Sequence, residues 1–505
     1  MARARLQPLY LSIDFGTSHV RAAVGHATGP PLAIARTPLR YFQPEDGPDT
    51  ALEIDIGAAW RAISATSRRA IKESGLDSRH ILGVGVTSQR LGLVMYGNNG
   101  KELYAGPNRD MRGVFQGGQI DADAGGMLWQ MTGHGPGMLT AWSRLLWFKE
   151  ERPDVYRQLR AVSGLADWLA YRMTGVLLME SALACDAGLG LVATGASAEG
   201  LATYAGVDEV MLPPTCQSGT VVGKMVTPSA RQLGVKAGIP VVVAGPDSQV
   251  GLLGMGIHEA DEAGVVAGWS AVVQRVTRMP LFDGTRSVWT GRHVFPDRWI
   301  VEGNAGEMGG AYQWLVQMLC QGEDESKAME RLDRQALSVP AGAEGSAAYL
   351  GPSFTNISVT GLRPGGLLFP VPLSFEPPDR AKLARAALES FAFAIRFNAD
   401  RLASYGGPAR AFAIGGGMTR SRTFRQVVTA ALGGAASFAV GGETTTLGAL
   451  SITAAAVEDR EIAELAGRRR RELRVLTVEG SAVVEYEDLY HAWRARERQL
   501  LDMEL

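Results

Sequence analysis

Cysteine is scarce in this chain: three in 505 residues, Cys185, Cys216 and Cys320, with no CxxC pair and no metal-ligand spacing. That argues against a disulfide framework or a zinc site and leaves free thiols in a reducing cytoplasm as the expectation. An excess of one charge is lacking too. Lys and Arg number 50 against 52 Asp and Glu, for a formal net charge of -2. No global basic surplus points to nucleic acid or an anionic membrane. No segment has the roughly 18 uninterrupted apolar residues of a membrane span. The basic start Met1-Ala2-Arg3-Ala4-Arg5 is followed by no apolar signal core. The expected partner is therefore a small molecule, with no nucleic acid and no membrane. A homodimer stays open. The local basic run Arg468-Arg469-Arg470-Arg471 reads as a solvated helix face.

Apolar residues are plentiful. They make up 46% of the chain, within the globular range, and the length suits two large lobes better than one core. The most informative stretch runs from Leu9 to Val24. An apolar run ends in Asp14, a Gly16-Thr17-Ser18 turn follows, and a second apolar run returns. This pattern predicts two strands joined by a tight hairpin. Turn amides and hydroxyls can face an anion, and the acid can hold a divalent cation against it. An ordinary hairpin with a surface acid would carry the same letters. The stretch from Glu262 to Val276 repeats the shape around Gly268-Trp269-Ser270. A strand–turn–strand unit at the head of each half points to a duplicated fold, with a nucleotide expected in a cleft between the halves. The lobe boundary is expected near residues 255–261, giving lobes of 1–257 and 258–505.

Further sites join these hairpins. Ile81–Thr87 reads as a strand, so Ser88-Gln89-Arg90 stands at a strand's C-terminal end, where open α/β sheets meet ligands. Pro240–Pro246 reads as a strand running into Asp247. A carboxylate there can take the proton of an alcohol that attacks a phosphoryl group, although an Asp before a helix is also a common cap. Ala411–Ile414 reads as a strand, followed by Gly415-Gly416-Gly417-Met418 and a helix. Such a crossover lets backbone approach a ring or a phosphate. Gln89, Arg90, Asp110 and Arg112, on neighbouring loops, can hydrogen-bond the hydroxyls of a polyol. The stretch after Val457 reads as mostly charged helix on the outside.

Eight segments in order resemble the FGGY family of carbohydrate kinases, in the actin-like ATPase superfamily. They are Ile13–Ser18, Gly85–Arg90, Asp110–Arg112, Ala166–Gly175, Ala244–Gln249, Gly268–Ser270, Gly415–Met418 and Thr446–Ala449. The resemblance implies an α/β fold of two ribonuclease-H-like lobes, each a mixed sheet flanked by helices, with ATP in an interlobe cleft. By position, Asp14 matches the magnesium-associated acid, and Gly16, Thr17, Ser18, Gly268 and Ser270 match the phosphate hairpins. Gly416, Gly417 and Met418 match the adenosine site, Asp247 the catalytic base, and Gln89, Arg90 and Asp110 the sugar site. The implied cofactors are ATP and Mg2+.

The chain also departs from the family. Trp269 stands where Thr is usual, and His19 where a small residue is usual. Leu91 replaces the acid that follows Gln-Arg in glycerol kinases, which argues against glycerol. The Met-His pair of xylulose kinases is replaced by Gln89-Arg90. The Asn108-Arg109-Asp110-Met111-Arg112 loop and Pro352-Ser353-Phe354-Thr355-Asn356 look more like the autoinducer-2 kinase branch. The expected activity is ATP-dependent phosphorylation of a primary hydroxyl of a small sugar or polyol, a pentulose such as xylulose. Alternatives are an autoinducer-2 kinase-like enzyme, a degenerate ATP- or sugar-binding sensor, for which Trp269 is the best support, and an actin-like ATPase.

Overall fold

Alternating β-branched and alanine residues bounded by turn residues form strands through the first forty positions. In the computed structural model, which describes residues 7–205, 212–353, 364–373 and 377–503, these are β1 (Leu9–Phe15), β2 (His19–Gly25) and β3 (Ala33–Pro38). With β4 (Ile81–Ser88), β5 (Val221–Lys224) and β6 (Pro240–Pro246) they build a six-stranded sheet in the order β5-β6-β4-β1-β2-β3. The central strands β1, β4 and β6 run parallel, and the flanking pairs are antiparallel. Each central strand reads as a near-continuous apolar run because helices cover both faces of such sheets. The helix Ile56–Glu73 starts at an Asp55 side-chain cap on Ala58 N and supplies Trp60, Ile63 and Ala70 to the same core.

A second sheet repeats the plan. It contains β7 (Glu262–Ala267), β8 (Ser270–Thr277), β9 (Trp299–Glu307), β10 (Ala411–Gly415), β11 (Ala435–Phe438) and β12 (Arg474–Thr477), ordered β9-β8-β7-β10-β11-β12, with a seventh strand, Trp289–Arg292, on the outer side of β9. Again a hairpin, β7 with β8, lies beside two parallel neighbours, and an antiparallel strand closes the edge. The edge strand comes from the opposite side in sequence: β5 precedes its partner β6, whereas β12 follows β11. The stretch read as mostly charged helix also contains a strand, between the helices Ile462–Arg471 and Gly480–Leu501.

Packing divides the chain into two compact units that are not contiguous in sequence. One holds Met1–Ala260, Val276–Val301 and Thr444–Arg471; the other holds Asp261–Arg275, Glu302–Glu443 and Glu472–Leu505. A single boundary at 257/258 is expected from sequence, but two later segments return to the first unit. The helix Thr444–Glu458 shows why. A Cβ on Gly254 would lie 2.0 Å from Thr444 O, and one on Gly448 would lie 2.0 Å from Val250 O. These glycines let two helix backbones touch, so the Thr446–Ala449 segment serves close packing against the helix that begins at Asp247. Arg469 is a second correction. It is buried, not solvated, and its guanidinium donates to Ser451 Oγ and to the carbonyls of Ala27, Gly29 and Leu447. Residues 354–356 of the Pro352–Asn356 segment lie outside the described residues.

Candidate active site

Strand register brings the predicted acids of the first unit to one edge. Asp14 of β1 lies opposite Thr87 of β4, and Thr87 lies opposite Gly245 of β6. Asp247 follows one residue beyond the end of β6. Three C-terminal strand ends thus carry both carboxylates to the side where α/β sheets bind ligands. Gly245 has φ +107°, and a Cβ there would lie 2.9 Å from Val294 Cγ1 and 3.3 Å from Glu180 Oε2. Only glycine fits that approach, and the bulge it makes in the β6–β4 pairing precedes Asp247.

Asp14 is buried, and its Oδ2 accepts from Arg21 Nη1 at 2.8 Å. Asp247 keeps part of its surface open, and its Oδ1 accepts from Ser248 N at 2.8 Å. It stands in the first turn of the helix Asp247–Gly254 and does not cap it. Desolvation, reinforced by the Asp14 charge, pushes the Asp247 carboxyl up to about 7. Arg90, the Ser248 amide and Arg21 pull the other way.

The first hairpin closes with Gly16 N donating to His19 O at 3.1 Å. Thr17 and Ser18 are half-buried. Thr17 Oγ1 accepts from Asn108 Nδ2 at 3.1 Å, Thr17 O accepts from the Tyr41 hydroxyl, and Ser18 Oγ lies 3.0 Å from His19 Nδ1. Gln89 ties these loops together. Its Nε2 donates to Gly16 O and Tyr41 Oη, each at 3.2 Å, and its Oε1 accepts from Asn108 N at 3.0 Å. Asp110 is equally committed to the protein. Oδ1 accepts from Leu52 N and Arg112 N, and Oδ2 from the Tyr104 hydroxyl and Arg112 Nε. Arg112 is enclosed by Tyr104, Trp147 and Phe148 and also reaches Glu53. Gln89, Asp110 and Arg112 therefore tie neighbouring loops together.

Arg90 stands apart from these braces. Its guanidinium lies 5.5 Å from the Trp289 ring and its Nη1 lies 3.7 Å from Asp186 Oδ2. Trp289 is fixed by Nε1 donating to Gly135 O at 2.7 Å, and its ring lies 4.9 Å from the His134 ring. His134 Nε2 is 3.2 Å from Asp186 Oδ1, and Gln249 Nε2 donates to Asp186 Oδ2 at 3.0 Å. His134, Asp186, Gln249 and Trp289 carry no local signature. Only Gln249, two residues after Asp247, sits inside a segment singled out from sequence. The others become neighbours through long-range packing.

The second unit carries the other predicted positions. The β7–β8 hairpin closes with Gly268 N donating to Ser270 O at 2.9 Å. The helix Met308–Leu319 abuts it: Gly309 N donates to Trp269 O at 2.9 Å, and a Cβ on Gly310 would lie 2.7 Å from the Trp269 ring. The Trp269 indole is thus seated on a helix N-terminus, and among the described residues its Nε1 has no hydrogen-bond partner. Gly416 has φ +92°, and a Cβ there would lie 2.4 Å from Ala267 O. Gly417 is exposed, a Cβ there would meet nothing within 4 Å, and Met418 is half-buried. Close backbone approach beside an open glycine suits a flat ring or a phosphate.

Among the described residues no group of three or more His, Cys, Asp and Glu could cage a metal ion. Magnesium needs less, because phosphates and waters fill most of its octahedron and one or two carboxylates suffice. The buried Asp14 carboxylate, close enough to Asp247 to raise its pKa, fits that demand. Among the described residues no helix is long and apolar enough to cross a membrane.

Comparison with known proteins agrees with this architecture. Residues 9–254 match the N-terminal domain, and residues 263–457 the C-terminal domain, of the FGGY family of carbohydrate kinases. The autoinducer-2 kinase of Escherichia coli strain K12 is 27% identical over 517 aligned residues, covering 96% of this chain and 93% of that protein. Among solved structures, xylulose kinase from Rhodospirillum rubrum is similar at TM-score 0.81 and 21% identity, over 97% of this chain and 99% of that one. Gluconate kinase from Lactobacillus acidophilus is similar at TM-score 0.83 and 17% identity, over 98% and 99%.

Proposed function

Because the chain belongs to the FGGY family of carbohydrate kinases, we propose that it phosphorylates a primary hydroxyl of a small open-chain sugar or polyol, with ATP as donor and Asp247 as general base. The observation that carries this reading is the Asp247 carboxyl, pushed to about 7 at the strand ends beside Asp14, Arg21 and Arg90. A base poised near the working pH accepts a hydroxyl proton most effectively, a role worth on the order of 10²–10⁴ in rate. Arg90 would donate to an acceptor oxygen. Gln89 and Asp110 would act indirectly, by holding the loops that Thr17, Asn108 and Arg112 share. Asp14 would hold magnesium, and Gly16, Thr17, Ser18, Gly268 and Ser270 would meet phosphate oxygens. Gly416, Gly417 and Met418 would hold the adenosine. When bound, ATP would supply the phosphoryl group and magnesium would offset part of its charge.

The likeness to autoinducer-2 kinases over nearly the whole chain favours one second reading, an acceptor such as the autoinducer-2 precursor in place of a pentulose. The test is coupled ADP release across pentuloses, pentitols, glycerol and that precursor, repeated with Asp247→Asn. A kinase responds to an acceptor and loses at least about 100-fold in turnover on substitution while retaining nucleotide. A sensor shows no acceptor-dependent ADP release, and an actin-like ATPase hydrolyses ATP with no acceptor present.

A further inference from the structure

One buried acid, joined through Gln249 to the helix that carries the proposed base, has no part in the proton transfer. Asp186 ends the helix Ser181–Asp186 and is fully buried. Side chains from three other segments converge on it: Gln249 at 3.0 Å, His134 at 3.2 Å and Arg90 at 3.7 Å. Each partner is tied to the site in its own way. Gln249 lies on the first turn of the helix that carries Asp247, and its Oε1 accepts from Ser248 Oγ at 2.6 Å. His134 fixes its other ring nitrogen 2.8 Å from Thr132 O and packs on Trp289. Arg90 packs on Trp289 as well. Directly after Arg90 the chain reverses at Leu91, which takes φ +62°, and the Leu91 carbonyl accepts from Arg144 Nη2.

A flexible guanidinium directs hydrogen bonds only when something fixes its plane, and an aromatic face together with a carboxylate does so. Resting on the kinase reading, we propose that Asp186 is a positioning residue for acceptor binding. It holds Arg90 against Trp289 and keys that pair, through Gln249, to the helix turn that presents Asp247. The guanidinium then meets an acceptor oxygen near the reacting hydroxyl at a set distance from the base. Asp186 touches neither substrate and acts through Arg90.

The test is a double-mutant cycle in the full-length protein, read by coupled ADP release with D-xylulose and ribitol as acceptors. Asp186→Asn raises acceptor KM at least about tenfold while kcat and ATP KM stay within about threefold, the pattern of lost ground-state binding. Arg90→Met does the same, and the double variant is no worse than Arg90→Met alone. Multiplying losses, or equal rises in acceptor and ATP KM, overturn the proposal in favour of a structural role. Arg90→Lys provides a route that leaves Asp186 intact. It keeps the charge and loses the planar stack, so it too must raise acceptor KM; a wild-type KM overturns the proposal. Should the wild-type protein release ADP with none of the pentuloses, pentitols, glycerol and the autoinducer-2 precursor, the kinase reading fails separately. Positioning is then judged by the Arg90 Nε–H NMR resonance, which Asp186→Asn must shift and which overturns the proposal if unmoved.

Discussion

At Asp247 two opposing sets of electrostatic effects compete, and those that favour the acid win. Burial and the Asp14 charge favour the acid; Arg90, the Ser248 amide and Arg21 favour the carboxylate. The result, about 7, predicts an acid limb in kcat/KM near neutrality, falling about tenfold per pH unit below it as the base is protonated. Arg90→Met removes a charge that favours the carboxylate and should move that limb to higher pH. A limb that stays put or drops would contradict Arg90's place beside the base. The same shift bears on stability. The folded pKa lies above the unfolded value, so the contribution is fully present below about pH 4 and is lost as pH rises through about 7. Ionised Asp247 therefore destabilises the fold at pH 8. Asp247→Asn should melt several degrees higher than wild type there, by ~2 kcal/mol after allowing for its solvent contact, with the gap closing toward pH 5. Thermal melts across that range check it. Asp14 and Asp247 were legible in sequence because each ends an apolar strand beside glycine. His134, Asp186 and Trp289 were not, because their chemistry lies in the contacts His134 makes with partners far along the chain.

Among the elements of the second unit, glycine separates steric need from open space. In the Gly415-Gly416-Gly417 crossover, Gly416 has φ +92° and would bring a Cβ within 2.4 Å of Ala267 O, whereas Gly417 meets nothing within 4 Å. Gly416→Ala should cost about 2–4 kcal/mol, combining left-handed strain with backbone displacement. Gly417→Ala should lie within about 0.5 kcal/mol of wild type. Urea melts of both variants decide this, and a raised ATP KM for Gly417→Ala at unchanged stability would favour ligand contact at that open position. The strand, the glycine triplet and the helix after it were readable as a pattern. Which glycine bears the constraint was not, since that depends on β7, more than 140 residues earlier. Strand β12 escaped for a related reason. Four residues between two charged helices show too little periodicity to register, and pairing with β11 gives them their place in the sheet.

For the molecule as a whole, the duplication announced by two Gly-x-Ser hairpins extends into the sheets: in each, an antiparallel hairpin lies beside parallel strands, although the second sheet has one strand more. Chain continuity is what misleads about the division into units. Residues 444–471 return to the first unit because their surfaces complete its core. Leu450, Ala454 and Leu465 cluster with Tyr10, while Ala449, Ile452 and Ala466 cluster with Val242, Val250 and Leu253. Arg469, read from composition as solvated, is held by carbonyls of the loop after β2. A fragment ending at residue 257 would leave those apolar faces and carbonyls uncovered, although it contains every strand of the first sheet. Such a fragment should bind a hydrophobic dye strongly and aggregate. Residues 1–260 joined by flexible linkers to 276–301 and 444–471, the whole of the first unit, should stay monomeric and melt cooperatively. Dye binding, sedimentation and thermal unfolding of the two fragments distinguish the cases. A soluble, cooperatively folding 1–257 would mean that the returning helices merely decorate the first unit, and that its core is complete without them.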